Sequence, residues 1–409
     1  MVHYSDFHID SRIQRQARAL AERGDEVDLV CFSPADELRV GEGLIRIHEV
    51  PGEKARAGAR AYLEGYGRFF AHALWKVSRL AARNRFDVVE AHNMPDFLVF
   101  AGALAKLRGA ATILNVHDTF PELFATKFEL PEQHRVVRLL RLEESLSARM
   151  ADAVIVVTRE AGELLNGRGV GVGQTSVVMN TPDERLFGPQ REPAAPPADG
   201  PLRALYHGGL APRFGVELLI GAVGRLGETL PRLSLRVCGT GSEQAALAAL
   251  GERLAPGRVD VAPKPVPVEL IPQELEAAQI GVVPTLRDDF TEHLLPVKLL
   301  EYVHMGLPAI APRLPVIENY FGDDDLRYFE PDSERDLAAA IADVCDDPGA
   351  AQARAARASA RLAEIDWSKQ RAAYLGLVDR LARRNPSEGA VKVLPASQRS
   401  STRVPARTP

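Results

Sequence analysis

Short β-branched and aliphatic runs alternate with helical periods along this chain, and the alternation occurs twice, on either side of a proline-rich break. That rhythm constrains the fold more than anything else in the sequence. Consecutive strands separated by helices must pair in parallel, and a parallel sheet must be covered on both faces. In the first half, Ser11 and Gln14 form a capping-box pattern, and Ile13, Ala17, Leu20 and Ala21 then share one helical face. Gly24 stops that helix before a strand-like run at 26–32. Further strands are expected at 86–91, 112–116, 153–157 and 176–179.

Residues 188–202 carry five prolines and no large apolar residue before Leu202, the composition of a linker. The alternation resumes at 204–207, 233–238, 259–262, 280–283 and 308–311. At roughly 100–200 residues per domain, 409 residues accommodate two such units. The fold class expected is therefore α/β: two doubly wound Rossmann-like domains facing across a cleft. The domains would span 1–187 and 203–365, joined by the linker 188–202. A terminal helix opened by Trp367 would cover 366–385, before a disordered tail at 386–409 that has no aromatic residue. Only residues 1–4 precede the first helix, so the first strand is either very short or incomplete in this sequence. Ligands of open α/β sheets bind beyond the carboxyl ends of the strands, so loops from both halves should line the cleft.

The bulk numbers exclude several classes. A net charge of −5 gives no reason to expect a nucleic-acid partner. No apolar run approaches a membrane span, and the polar start Met1-Val2-His3-Tyr4 is no signal peptide. Cys31, Cys238 and Cys345 make neither a disulfide framework nor a metal set. A cytoplasmic protein is expected.

The segment richest in chemistry runs from Thr291 to Pro308. Pro296 suits a helix's first turn. Lys298, Glu301 and Tyr302 follow at spacings of three and four, at the amino-terminal end of that helix. Free backbone amides and the positive end of the dipole favour a phosphate there, and Lys298 adds a full charge. Glu301 could accept two hydrogen bonds from a ribose diol. A solvated Lys–Glu pair on a surface helix is the plainer alternative.

Pro296-x-Lys298-Leu299-x-Glu301-Tyr302 followed by Gly306-x-Pro308 resembles the donor-site signature of the retaining GT-B glycosyltransferases of family 4 (glycosyl transferases group 1). The runs at 87–93, 117–122, 180–183, 206–210 and 238–241 are similar to that family's landmarks, in the same order. The resemblance implies a nucleotide-sugar donor, UDP favoured over GDP, a hydroxyl acceptor, and transfer with retention. It places Glu301 on the ribose, Lys298 on the diphosphate, and Gly208 and Gly209 at a turn that lets backbone approach the phosphates. Gly239 would also lie on the donor side. His117, at the end of the 112–116 run, would sit near the sugar and acceptor, with His92 and Asn93 at an equivalent strand end. Family members often carry an acid eight positions before the Glu301 equivalent; this chain has His293 there and Glu292 one place earlier. Where the family often has an Arg and a Lys near the glycine turn, this chain has Gly209 and Phe214, leaving Arg213 as the replacement phosphate ligand. Lys298, Arg213 and a helix end could stabilise the leaving diphosphate without a metal or other cofactor. Asp288-Asp289 and Asp323-Asp324-Asp325 read as solvated loop acids.

Other readings stay open: an inactive nucleotide-sugar-binding subunit of the same fold, or an epimerase or hydrolase of nucleotide sugars. The acceptor, whether glycan, lipid-linked glycan or small metabolite, is not legible. Residues 54–85 interleave Lys54, Arg56, Arg60, Arg68, Lys76 and Arg79 with Tyr62, Tyr66, Phe69, Phe70 and Trp75. That segment could rest on the inner face of an anionic membrane. An amphipathic helix packing its aromatics on the sheet is the simpler account.

Overall fold

The computed structural model describes residues 1–54 and 59–384. The expectation for 386–409 and the placement of Arg56 fall outside the described residues. The first sheet contains β1 (Val2–His3), β2 (Glu26–Cys31), β3 (Asp36–Val40), β4 (Gly43–Glu49), β5 (Val88–His92), β6 (Ala111–Val116), β7 (Ala153–Val156) and β8 (Thr175–Val177). Their order is β3-β4-β2-β1-β5-β6-β7-β8, parallel except for the antiparallel β3–β4 pair. The second sheet contains β9 (Leu202–Gly209), β10 (Leu233–Thr240), β11 (Val259–Val261), β12 (Ile280–Val282), β13 (Ala309–Pro312) and β14 (Arg327–Phe329). Its order, β11-β10-β9-β12-β13-β14, is parallel throughout and reverses direction between β9 and β12. Two Rossmann-like domains result, each with a topological switch point at which ligands bind.

The central strands are apolar without interruption because both their faces are covered: every residue of β6 and β7 is buried. The β3–β4 hairpin had no counterpart among the expected strands. Its outer strand reads Asp36-Glu37-Leu38-Arg39-Val40, and charge of that kind hides a strand while protecting a sheet edge. The first helix, Ser11–Glu22, is capped by Asp10, whose carboxylate accepts from the Arg12 amide at 3.1 Å, so the expected Ser11 capping box is not what starts it. Asp10 stands one place earlier and reaches the free amide of Arg12.

Residues 188–201 form no helix or strand but run pinned along the second domain. The Arg191 amide donates to the His304 carbonyl at 2.8 Å, and the Ala194 amide to the Gly306 carbonyl at 3.3 Å. The helix Trp367–Arg384 crosses back to the first domain, where Tyr374, Leu377 and Leu381 share a core with Ile13, Leu29 and Ile45. The Tyr374 hydroxyl donates to buried Glu90 at 2.6 Å. A second seam joins the domains near the cleft: Thr158 Oγ1 donates to the His293 carbonyl at 3.1 Å, and Asn319 Nδ2 to Glu160 Oε1 at 2.7 Å. In the helix Ala59–Arg83, Tyr66 and Phe69 are buried against the first sheet, as the simpler account requires, whereas Trp75 stays 57% exposed. Among the described residues, no helix is long and apolar enough to cross a membrane.

Candidate functional site

The carboxyl ends of the strands from both domains enclose a cleft of about 310 Å³. The first domain contributes Arg12, His117, Asp118, Thr158 and Asn180; the second contributes His207, Gly208, Gly209, Phe214, Thr285, Pro296, Lys298 and Glu301. A second lobe of about 440 Å³ shares Arg12, Asn180, Val297 and Glu301 with it and continues to Arg15 and Lys54.

Lys298 is the second residue of the helix Val297–His304, which begins after Pro296 with no side-chain cap. Its first-turn amides and the dipole's positive end therefore meet the cleft wall. The Lys298 ammonium donates to the Tyr206 hydroxyl at 3.1 Å. It also lies over two aromatic faces, 4.4 Å from the Tyr206 ring centroid and 4.8 Å from that of Phe214. Burial outweighs the attraction of Glu301 and pulls its pKa down to about 8. The cation is thus held by rings and a hydroxyl, and among the described residues no carboxylate is bonded to it.

Gly208 makes this possible. It takes φ +127°, and a Cβ there would come within 2.9 Å of Lys298 Cε and 3.0 Å of Nζ. Any side chain would both strain the turn and displace the ammonium. The turn is further fixed by the Tyr206 hydroxyl, which donates to the Gly209 carbonyl at 2.6 Å.

One helical turn after Lys298, Glu301 leaves 16% of its side chain open. Burial raises its pKa to about 7 against the pull of Lys298 and Arg15. His207 Nε2 lies 3.2 Å from Glu301 Oε2, without the alignment of a hydrogen bond. Burial, reinforced by the Lys298 charge, pushes His207 down to about 3, so it faces Glu301 as a neutral imidazole.

Across the cleft, His117 is buried where β6 ends. Its Nε2 lies 3.1 Å from His92 Nδ1, and the two rings stack at 5.3 Å. Burial lowers the pKa of both well below that of free histidine. Asn93 fixes the turn: its Oδ1 accepts from the His117 amide at 2.8 Å, and its Nδ2 donates to the Asp118 carbonyl at 2.7 Å. Arg12 lines both lobes, paired with Asp10 at 2.8 Å.

Four sequence-based assignments fall off the cleft lining. Gly239 packs on β9 instead: a Cβ there would sit 2.2 Å from the Gly208 carbonyl oxygen, so it allows the β9–β10 approach. Glu292 points away, 42% exposed and 3.9 Å from Arg287. His293 binds the Asp289 carbonyl through Nδ1 at 2.9 Å and takes part in the inter-domain seam. Arg213 lies at the cleft edge, 5.6 Å from the Phe290 ring, with Nη1 buried and unpaired. The acidic runs are structural: Asp288 caps the amides of Phe290 and Thr291, and Asp323 pairs with Arg313. Among the described residues, no three His, Cys, Asp or Glu side chains converge to hold a metal. The residues missed by sequence reasoning are Tyr206, His207 and Phe214, which enclose Lys298 and Glu301. Phe214 stood out only as a departure from the family pattern, and the structure makes it a wall of the lysine's pocket.

Two family models match the chain, one for each domain: "Glycosyl transferase 4-like domain" over residues 9–181 and "Glycosyl transferases group 1" over 201–347. The glycogen synthase of Mycobacterium tuberculosis is 30% identical over 383 residues, covering 87% of this chain and 86% of the relative. The chain belongs to the group 1 glycosyltransferases. The sucrose-phosphate synthase of Thermosynechococcus elongatus superposes with TM-score 0.73 at 18% identity, over 94% of this chain and 99% of the other. Anabaena HepE, solved with UDP-glucose, superposes with TM-score 0.67 at 16% identity, over 93% and 99%. At those identities the likeness concerns fold, and the fold is GT-B.

Proposed function

We propose that this glycosyltransferase moves a hexosyl unit from a UDP-sugar to a hydroxyl acceptor with retention of configuration and without a metal. The observation that carries the reading is Lys298, a half-buried ammonium that no carboxylate binds among the described residues, seated at an uncapped helix amino terminus. Such a cation is built to meet an anion. A diphosphate fits both the charge and the free amides, and Glu301, one turn on, is a carboxylate that can accept from both hydroxyls of a ribose. As the glycosidic bond breaks, negative charge collects on the diphosphate. Lys298 and the helix dipole stabilise it by preorganisation, with Arg213 adding positive charge from the cleft edge. His117 offers a neutral imidazole to a hydroxyl of the sugar. The acceptor enters through the lobe bounded by Arg12, Arg15 and Lys54, and the departing phosphate takes the acceptor proton. HepE's UDP-glucose supports UDP-hexose as the donor.

Thermal shift with UDP-glucose, ADP-glucose and GDP-mannose tests donor choice, since a ligand that binds only the native state must raise Tm. UDP-glucose is expected to give the largest shift, and release of UDP with a sugar acceptor should yield the donor's anomer by NMR. A larger shift with GDP-mannose would overturn the donor. Donor binding with no transfer across an acceptor panel would instead identify a binding subunit.

A further inference from the structure

Asp118 stands two residues beyond the end of β6, in the cleft wall of the first domain, and its backbone is clamped. Asn93 Oδ1 accepts from the Asp118 amide at 3.4 Å, and Asn93 Nδ2 donates to its carbonyl at 2.7 Å. The side chain is left bare. Asp118 is half-buried, and among the described residues its carboxylate accepts no hydrogen bond and forms no ion pair. Glu90 and Glu122, buried in the same domain, are by contrast satisfied, the first by Tyr374 and Asn115, the second by Arg168 and Arg141. Burial raises the Asp118 pKa against the pull of Arg12, Lys54 and Arg213. A carboxylate held in a partly desolvated wall without donors costs stability, and a ligand that brings a donor removes that cost.

The order of groups along a nucleotide sugar says which part of it arrives there. Base, ribose, diphosphate and sugar follow one another, so with the ribose on Glu301 and the diphosphate on Lys298 the next group is the hexosyl ring. Among the described residues, Glu301 and Asp118 are the carboxylates that line the first lobe, and Asp118 does not line the second, where the acceptor enters. Charge makes the same choice. A bare carboxylate repels a diphosphate, whereas the hydroxyls of the uncharged ring donate to it. Glu292 and His293, which lie off the lining, do not compete for that role.

We infer that Asp118 is a specificity-determining residue for the transferred sugar, its carboxylate accepting from a hydroxyl of a neutral hexosyl ring across the cleft from Lys298. The inference rests on the UDP-hexose reading of this site and adds to it a group that reads the sugar.

Isothermal titration of the full chain with UDP and with UDP-glucose tests it. Wild type should bind UDP-glucose more tightly than UDP. Asp118→Ala, and Asp118→Asn, which keeps the shape of the side chain, should bind UDP at least as tightly as wild type, because a repelling charge is gone. Both should bind UDP-glucose about tenfold more weakly, the loss of one charge-assisted hydrogen bond. Among the monodeoxy analogues of UDP-glucose, one should lose about tenfold on wild type and nothing further on Asp118→Ala. Since the carboxylate bonds nothing in the fold, both variants should keep or raise the wild-type Tm. UDP-glucose bound equally by wild type and variants, or UDP and UDP-glucose weakened alike, would overturn the inference and leave the donor reading standing. A wild type that binds neither ligand would remove the donor reading, and this inference with it.

Discussion

Replacing Lys298 with methionine separates a functional cation from a structural one. With its pKa at about 8 in place of 10.5, keeping the ammonium charged at neutral pH costs folding about 3 kcal/mol, at roughly 1.4 kcal/mol per pKa unit. Methionine of similar length removes that cost. It also forfeits two cation–π contacts of roughly 0.5–1 kcal/mol each and a hydrogen bond to Tyr206 of about 1 kcal/mol. The balance leaves Lys298→Met unchanged to about 1 kcal/mol more stable, a Tm rise of up to about 2 °C for a chain of this size. A depressed lysine pKa penalises the folded state below about pH 8, and the penalty vanishes above about pH 10.5, where the unfolded chain has also lost the proton. Wild type should therefore gain on the variant as pH rises through that window. Binding moves the other way. Losing a charge-assisted bond to a phosphate removes about 1.5–3 kcal/mol, so affinity for UDP should fall roughly 10- to 100-fold by isothermal titration calorimetry. A variant that loses several degrees of Tm yet binds UDP as tightly as wild type would show that Lys298 holds the fold and not the donor.

Glu301→Gln should weaken UDP about tenfold in the same titration while leaving inorganic pyrophosphate unaffected, because only the ribose diol needs the carboxylate. Affinity for UDP should peak between about pH 7 and 8, falling below as Glu301 takes up a proton and above as Lys298 loses one; a flat profile from pH 6 to 9, about one unit either side, would remove both groups from the site. Gly208→Ala should cost roughly 1–3 kcal/mol in denaturant unfolding and abolish UDP binding, since its Cβ meets Lys298 at 2.9 Å on a φ of +127°. Tyr374→Phe should lower stability by roughly 1–3 kcal/mol by leaving Glu90 short of a donor, with UDP affinity unchanged.

Strand positions were legible because buried parallel strands are continuous apolar runs: β6, β7, β10 and β12 fall within two residues of where the pattern put them. The β3–β4 hairpin escaped because its charged edge strand carries no such run. At the site, Lys298 and Glu301 were legible because their spacing is local to one helix and its end has a known electrostatic character. What surrounds them was not. Tyr206 and Phe214 reach Lys298 across 92 and 84 positions of chain, and no local pattern reports that a ring stands beside an ammonium. That Gly239 packs against β9, off the cleft lining, was hidden for a related reason. A glycine that permits two strands to approach reads the same in sequence as one that admits a phosphate.

The account rests on Lys298 and Glu301 as the anchor of the nucleotide, and a crystal structure of the protein with UDP tests that most directly. It predicts the distal phosphate within hydrogen-bond distance of Lys298 Nζ and the first-turn amides of Val297–His304, with both ribose hydroxyls on the Glu301 carboxylate. UDP bound with its ribose away from Glu301, or its phosphates away from Lys298, would contradict it.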